Sequence, residues 1–182
     1  MKRLILAIAF LWMAIPFLSS QSAAMMVAMG TEELARESEV VIRGEVAEVK
    51  SQWKGDGKTI VTRASVKITD TLRGETVSDT ITIEYAGGEV GDVGLRVEDV
   101  SPLKKGEDVI LFLKKSSPGS AASAESGTTE DVHRIVGKAQ GKYTIGKDGI
   151  AEKSGFSVIG GKSVMDNKLP VDELMNKIRG VK

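Results

Sequence analysis

Hydrophobic and polar positions alternate along much of the chain, which is the pattern of half-buried β-strands. The stretch around which the others are arranged, Ser38 to Val49, is rich in β-branched residues and has Gly44 in its middle. It predicts a strand from about Glu39 to Lys50 that crosses a small barrel and bends at the glycine. We expect the later strands to pair with this strand or to close around it.

Further strands are predicted downstream by the same alternation. Asp79 to Tyr85 alternates, and the preceding turn, Thr71 to Glu75, has Gly74 as its expected positive-φ residue. Val109 to Leu113 is apolar on both faces and should be the most buried strand. The clearest alternation lies in the segment from 59 to 70, where one face is formed by Ile60, Thr62, Ala64, Val66 and Ile68.

Two helices are predicted, one before and one after the strands. Thr31 to Ser38 should form a short helix, with Thr31 as its cap. Val171 to Arg179 has one apolar stripe, acidic residues at its start and basic residues at its end. We expect this second helix to cover an open end or face of the barrel; the alternative is that it binds a partner. Short strands are expected between them, at Val132 to Gly137 and Lys142 to Gly146.

Two segments lack a strand or helix pattern. Ala86 to Leu95 is glycine-rich and predicts a flexible loop at the barrel mouth. A phosphate-binding loop would need a lysine followed by serine or threonine and then a helix, and this segment has none of these. Residues 115–130 are rich in serine, alanine and glycine, which predicts a mobile surface loop within one domain.

The amino terminus has the layout of a secretory signal peptide. Lys2 and Arg3 precede an apolar run, Leu4 to Leu18, and small residues follow up to Ala24. We therefore predict a signal peptide over residues 1–24, a single domain over 25–182, and an exported protein, extracellular or periplasmic. No stable membrane span is expected after cleavage; the alternative is an uncleaved anchor that extends through Met25 to Met29.

Charge and composition exclude several classes of function. The chain has 25 basic and 25 acidic residues, and removal of Lys2 and Arg3 leaves 23 basic residues, a net charge of −2. Such a chain gives no electrostatic case for nucleic acid as a partner. It has no cysteine, which excludes disulfides, thiol nucleophiles and thiolate metal sites. His133 is the one histidine and is expected at the surface or a loop edge. We therefore expect no metal site and no cofactor.

The sequence contains no catalytic constellation, so we predict a non-enzymatic binding module. Trp53 lies at a predicted hairpin tip, where it can contact a partner or a sugar or pack over the barrel end. The glycine-rich segment adds Gly88, Glu89, Asp92 and Arg96 as candidate binding residues. The acidic spacing there does not fit a calcium-binding EF-hand loop.

The order of these elements is typical of a mostly β, OB-type barrel with a short N-terminal helix and a C-terminal amphipathic helix. Ser38 to Val46 resembles the first barrel strand of the netrin-like domain, known from tissue inhibitors of metalloproteinases. Leu72 to Gly74 lies where that family has an aromatic-Lys-Gly turn. Val93 to Leu95 lies where the family has a Cys-Gly-aliphatic sequence. Gly106 to Leu113 resembles the strand that follows.

The resemblance covers Leu34 to Lys114, about half of the predicted mature chain. The second half, with Arg134 to Tyr143 and the last helix, is similar to a cysteine-free family of exported prokaryotic proteins. The resemblance implies a protein partner, with a secreted metalloprotease as the most specific expectation. The inhibitors chelate zinc through an N-terminal cysteine, which this chain lacks, so that mechanism does not carry over. A carbohydrate or small-ligand binding module and a structural envelope protein are the alternatives.

Overall fold

The structure is a computed structural model that describes residues 26–55, 57–116, 131–156, 158–159 and 166–182. These residues are mostly β, with helices α1 (Thr31–Glu37) and α2 (Val171–Arg179). The predicted signal peptide and nearly all of the predicted mobile loop lie outside them, as do Gly160 and Gly161, a glycine pair that also predicts a loop. The strands are β1 Met26–Val27, β2 Val40–Trp53, β3 Ile60–Arg73, β4 Thr80–Ala86, β5 Gly88–Val90, β6 Val93–Leu95, β7 Asp108–Lys115, β8 Val132–Ile135, β9 Lys142–Ile145, β10 Ile150–Glu152, β11 Val158–Ile159 and β12 Lys168–Pro170.

The long predicted strand is confirmed as β2, which ends three residues later than expected, at Trp53. It pairs with β3 along almost its whole length and with β7 along its first half. The register with β3 shifts between Arg43 and Gly44. A Cβ at Gly44 would lie inside van der Waals contact of the Lys67 carbonyl oxygen, so only glycine lets the two backbones approach there. Gly74, in the next turn, has the expected positive φ of +77°.

Five strands pair in a ring, in the order β7, β2, β3, β4, β8 and back to β7. The closing strand β8 runs parallel to β4, at Thr82–Val132 and Ile83–His133, and antiparallel to β7. The first half of the same β7 edge pairs with β9, from which β10 and β12 continue the sheet outward. We call β9, β10 and β12 the wing. The mostly β prediction is thus confirmed, the pairing order closes a ring of five strands, and the assignment as an OB-type barrel stays a prediction.

Two hydrophobic cores lie on opposite faces of β7. On one face, Val109, Leu111 and Leu113 pack with residues of β2, β3 and β4, and we call this cluster the inner core. Phe112 and Ile110 pack with α1, α2 and the wing in the outer core. The five apolar residues of this strand, 109–113, are fully buried, so the prediction that it is the most buried strand is confirmed.

Both predicted helices are present and cover the outer face of the sheet. Leu174 and Ile178 of α2 are fully buried in the outer core, which confirms that its apolar stripe covers a sheet face. The prediction that Thr31 caps α1 is wrong. Gly30 is the N-cap residue, and Thr31 is fully buried with its hydroxyl turned to side chains of other elements.

The glycine-rich segment, for which the sequence predicts a flexible loop, forms a hairpin. Strands β5 and β6 pair antiparallel from Gly88–Leu95 to Val90–Val93, with Gly91 and Asp92 as a two-residue turn. Gly91 has a φ of +60°, and glycine followed by aspartate is a common sequence for such a turn. The segment therefore has fixed geometry over the end of the ring.

Candidate functional site

The β5–β6 hairpin is held against the end of the ring where β2 turns into β3. The Gly87 amide donates to the Ile60 carbonyl at 2.8 Å, and the Thr62 hydroxyl donates to the Gly87 carbonyl at 2.6 Å. The Thr62 hydroxyl also lies 2.8 Å from the Ser51 hydroxyl. A Cβ at Gly88 would collide with both hydroxyl oxygens, so the absence of a side chain at Gly88 lets the hairpin lie this close.

Apolar side chains gather where the hairpin meets the ring. Opposed residues of an antiparallel pair point to the same face, so Val90, Val93 and Leu95 share the face of Gly88, which is turned toward Ser51. Trp53 lies two residues beyond Ser51 on the same face of β2. We call Trp53, Val90, Val93 and Leu95 the mouth surface. Three of them are substantially exposed, at 41% for Trp53, 50% for Val93 and 36% for Leu95.

The other predicted binding residues surround this surface. Glu89 is exposed on the opposite face of the hairpin, next to Gly94. Asp92 is exposed in the hairpin turn, and Arg96 is exposed directly after β6. The structure therefore places all five predicted residues in one region, although Glu89 does not share a face with Trp53 and Gly88. The sequence did not predict Val90, Val93 and Leu95 as binding residues, although apolar residues on both sides of Gly91 indicate a short apolar hairpin.

A second polar cluster, which the sequence did not predict, lies in the outer core. Thr31 Oγ1 donates to Asp166 Oδ2 at 2.8 Å, and Tyr143 Oη donates to the Asp166 carbonyl at 2.8 Å. Lys177 Nζ donates to the same carboxylate at 2.6 Å. Burial alone would raise the pKa of Asp166, but the hydrogen bonds from Lys177 and Thr31 outweigh burial and hold it below its ordinary value. Burial also raises the pKa of Tyr143. The cluster ties α1, β9 and α2 together.

Lys153 lies beside this cluster as a buried amine. It is 5% exposed, and its Nζ is 4.6 Å from the centre of the Tyr143 ring. Among the residues that the structure describes, Nζ has no hydrogen-bond partner. Burial lowers its pKa to about 8, with Asp166 acting in the opposite direction and Lys177 adding to the decrease. This amine is less favourable as a cation than a surface lysine.

A cleft of about 340 Å³ lies beside the wing. Most of its lining side chains are polar: Glu107, Thr144, Asp148, Glu152, Ser154 and Lys168. Lys142 Nζ donates to Glu107 at 2.8 Å and to the Pro102 carbonyl at 2.6 Å. Burial lowers the pKa of Lys142, although its bond to Glu107 acts to raise it. The cleft therefore offers hydroxyl, carboxylate and ammonium groups to a small polar ligand.

The sequence predicts His133 at the surface or a loop edge, but the residue is buried at the second position of β8. His133 is 7% exposed within β8, because this strand closes the ring between β4 and β7. Its Nδ1 lies 3.2 Å from the Asp131 carbonyl oxygen. Burial lowers the pKa of the imidazole below its ordinary value, although the contact with Asp131 acts to raise it. The imidazole is thus part of the packing where β8 closes the ring.

In the part of the chain that the structure describes, no three histidine, cysteine or carboxylate residues are grouped so that they could hold a metal ion. No helix in the same residues is long and apolar enough to cross a membrane. A comparison with models of protein families gives no match, and a comparison with curated proteins gives none either.

Proposed function

We propose that this chain is an exported, non-enzymatic binding module that engages a protein partner in the cell envelope or outside the cell through its mouth surface. The observation that carries the proposal is the exposure of Trp53, Val93 and Leu95 together at one end of the ring. Aromatic residues are enriched among the residues that dominate protein interfaces, and exposed apolar patches mark interaction sites.

The fixed geometry of the hairpin further supports a binding role. The contacts of Gly87 and Gly88 with Ile60, Ser51 and Thr62 set the position of the hairpin on the ring. A surface that is ordered before binding loses less conformational entropy when a partner docks.

We further propose that the ring is an OB-type barrel of the netrin-like kind. The five-strand ring with a parallel closing pair, β4 and β8, supports this assignment, as do the residues of the predicted resemblance. Within this proposal a secreted metalloprotease is the most specific partner class. The chain has no cysteine, so the zinc chelation used by those inhibitors does not carry over, and the mouth surface is the contact that we propose.

The test is capture of a partner from the organism's own envelope and secreted fractions with the tagged full chain. We expect one stoichiometric protein, and we expect Trp53→Ser combined with Leu95→Ser to reduce its recovery at least tenfold, since central interface residues each contribute more than about 1 kcal/mol. Val77→Ser is the matched control, because Val77 is 99% exposed in the turn at the opposite end of β3.

Two results would overturn the proposal. The first is the absence of any stoichiometric protein among the captured material. The second is equal recovery of the partner by the wild-type chain and the double variant. A captured metalloprotease whose activity falls on addition of the chain would support the narrower assignment, whereas a fully active, unbound protease would remove it.

The cleft beside the wing favours a second candidate function, the binding of a carbohydrate or another small polar ligand. Its hydroxyl and charged side chains are suited to a ligand with several hydroxyl groups. Calorimetric titration with envelope oligosaccharides tests this function. A heat of binding that disappears in Asp148→Ala, and persists in the double variant of the mouth surface, would assign ligand binding to the cleft.

A further inference from the structure

Among the described residues, no other strand pairs with the outer edge of β6. In a hairpin with a two-residue turn, the pair that closes the turn is hydrogen-bonded and the next pair is not. Val90–Val93 closes this turn, so Glu89–Gly94 is the pair without mutual hydrogen bonds. The N–H and C=O of Gly94 therefore point away from β5. Within the described ranges, β6 pairs with no strand except β5.

All three residues of β6 are exposed, so the strand is accessible to solvent. The face of the hairpin at Gly94 is also open, because a Cβ there would meet only the Glu89 side chain, at an ordinary 3.5 Å. A glycine in an exposed strand lets another backbone approach closely. The apolar side chains of Val93 and Leu95 lie on the other face of the same strand, where they can contact alternate side chains of an added strand.

The charge of the hairpin segment itself favours one kind of added strand. Glu89, Asp92 and Glu98 are exposed carboxylates, and Arg96 is the one exposed cation in the segment from 88 to 98. Their net charge of −2 favours a segment with lysine or arginine side chains, because complementary charge speeds association and suppresses wrong partners.

We propose that the partner binds by adding an extended, basic strand to the free edge of β6, with its backbone hydrogen-bonded to Gly94. The inference rests on the proposed function and specifies its mode: main-chain pairing along the edge, apolar contacts on the mouth surface, and selection for positive charge. The contacts of Gly87 and Gly88 fix the hairpin in place. Its edge is therefore ordered for strand addition before the partner binds.

The test compares Gly94→Pro with Gly94→Ala in the full chain. Proline removes the outward N–H and is tolerated at an edge strand, whereas alanine keeps the N–H and fits the open space. The probe is a fluorescent octapeptide of alternating valine and lysine, and its valine–glutamate counterpart tests the charge. Binding is measured by fluorescence anisotropy.

We expect the lysine peptide to bind the wild-type chain and Gly94→Ala alike, and Gly94→Pro about tenfold more weakly, since a lost hydrogen bond of this kind is of that order. We expect the glutamate peptide to bind at least tenfold more weakly than the lysine peptide. Equal affinity of the proline and alanine variants, equal affinity of the two peptides, or no binding of the lysine peptide would each overturn the proposal.

The same variants separate this inference from the proposed function. If the captured partner is lost by Trp53→Ser with Leu95→Ser but retained by Gly94→Pro, the mouth surface binds the partner without strand addition, and only the present inference fails. Loss of the partner in Gly94→Pro and its retention in Gly94→Ala would support strand addition to the native partner.

Discussion

Lys153 shows how burial of one residue gives the stability of the fold a pH dependence. Its folded-state pKa is about 8, against an ordinary value of 10.5. Between these values the unfolded chain keeps the proton that the folded chain has lost, so the free energy of unfolding rises with pH across this interval. Below pH 8, Lys153 is protonated in both the folded and the unfolded state. The folded state is then destabilised by the full free-energy cost of the buried charge.

We therefore predict that Lys153→Met raises the free energy of unfolding at pH 7 by up to about 3 kcal/mol and flattens its rise between pH 8 and pH 10. Urea unfolding at several pH values measures both effects. Lys147→Met is the control, because Lys147 is an exposed lysine in the turn between β9 and β10. Parallel pH profiles of the wild-type chain and Lys153→Met would contradict the prediction.

The candidate binding residues and the buried cluster differ in how far the sequence could predict them. Trp53 and Gly88 were recognisable because an aromatic residue in a predicted turn and a glycine-rich segment are local signals. The approach of Thr31 and Tyr143 to Asp166 depends on how α1, β9 and the segment before β12 pack. These residues are distant in the chain, and none of them interrupts a local pattern.

At the scale of the element, the contact of Gly88 with Ser51 and Thr62 determines where the hairpin lies. We predict that Gly88→Val forces β5 away from β2, since its branched side chain would occupy the position of the two hydroxyl groups. Overpacking of this kind costs about 2 kcal/mol of folding free energy. We also expect greater quenching of Trp53 fluorescence by acrylamide, measured in a Trp12→Phe background where Trp53 is the one tryptophan.

The control for this prediction is Gly91→Asn in the same hairpin. A Cβ at Gly91 meets nothing within 4 Å, and asparagine tolerates the positive φ of that turn position. It should leave both the unfolding free energy and the quenching near wild-type values. If Gly88→Val behaves as Gly91→Asn does, the close contact does not position the hairpin.

The elements that the sequence predicted well are those with a sustained period. The alternation of β3 and the apolar stripe of Val171 to Arg179 extend over several repeats, and the observed helix has the predicted limits. The β5–β6 hairpin was missed because each strand has only three residues, too few to show a period of two. The parallel pairing of β4 with β8 could not be predicted from the sequence either, because the two strands are distant in the chain and pair only when the ring closes.

At the scale of the whole molecule, β7 couples the two cores. Its residues alternate between them, so Leu111 packs in the inner core and Phe112 in the outer core. Strand β2 does the same with Ile42 and Val41. Because the two cores share these strands, loss of packing on the outer face removes support from the ring itself. The molecule should therefore unfold as one cooperative unit.

We predict that Ile178→Ala, which opens a cavity in the outer core beneath α2, also destabilises the distant end of the ring where Trp53 lies. Loss of a fully buried isoleucine costs about 3 kcal/mol. In the Trp12→Phe background, the urea transitions followed by far-ultraviolet circular dichroism and by Trp53 fluorescence should coincide and shift together to lower urea. Asn176→Ala, at an exposed position of the same helix, should move neither transition by more than about 0.5 kcal/mol. The contrary outcome is a shifted dichroism transition with an unchanged Trp53 fluorescence transition. It would mean that the ring unfolds separately from the outer core, so that the shared strands do not transmit stability between the two faces.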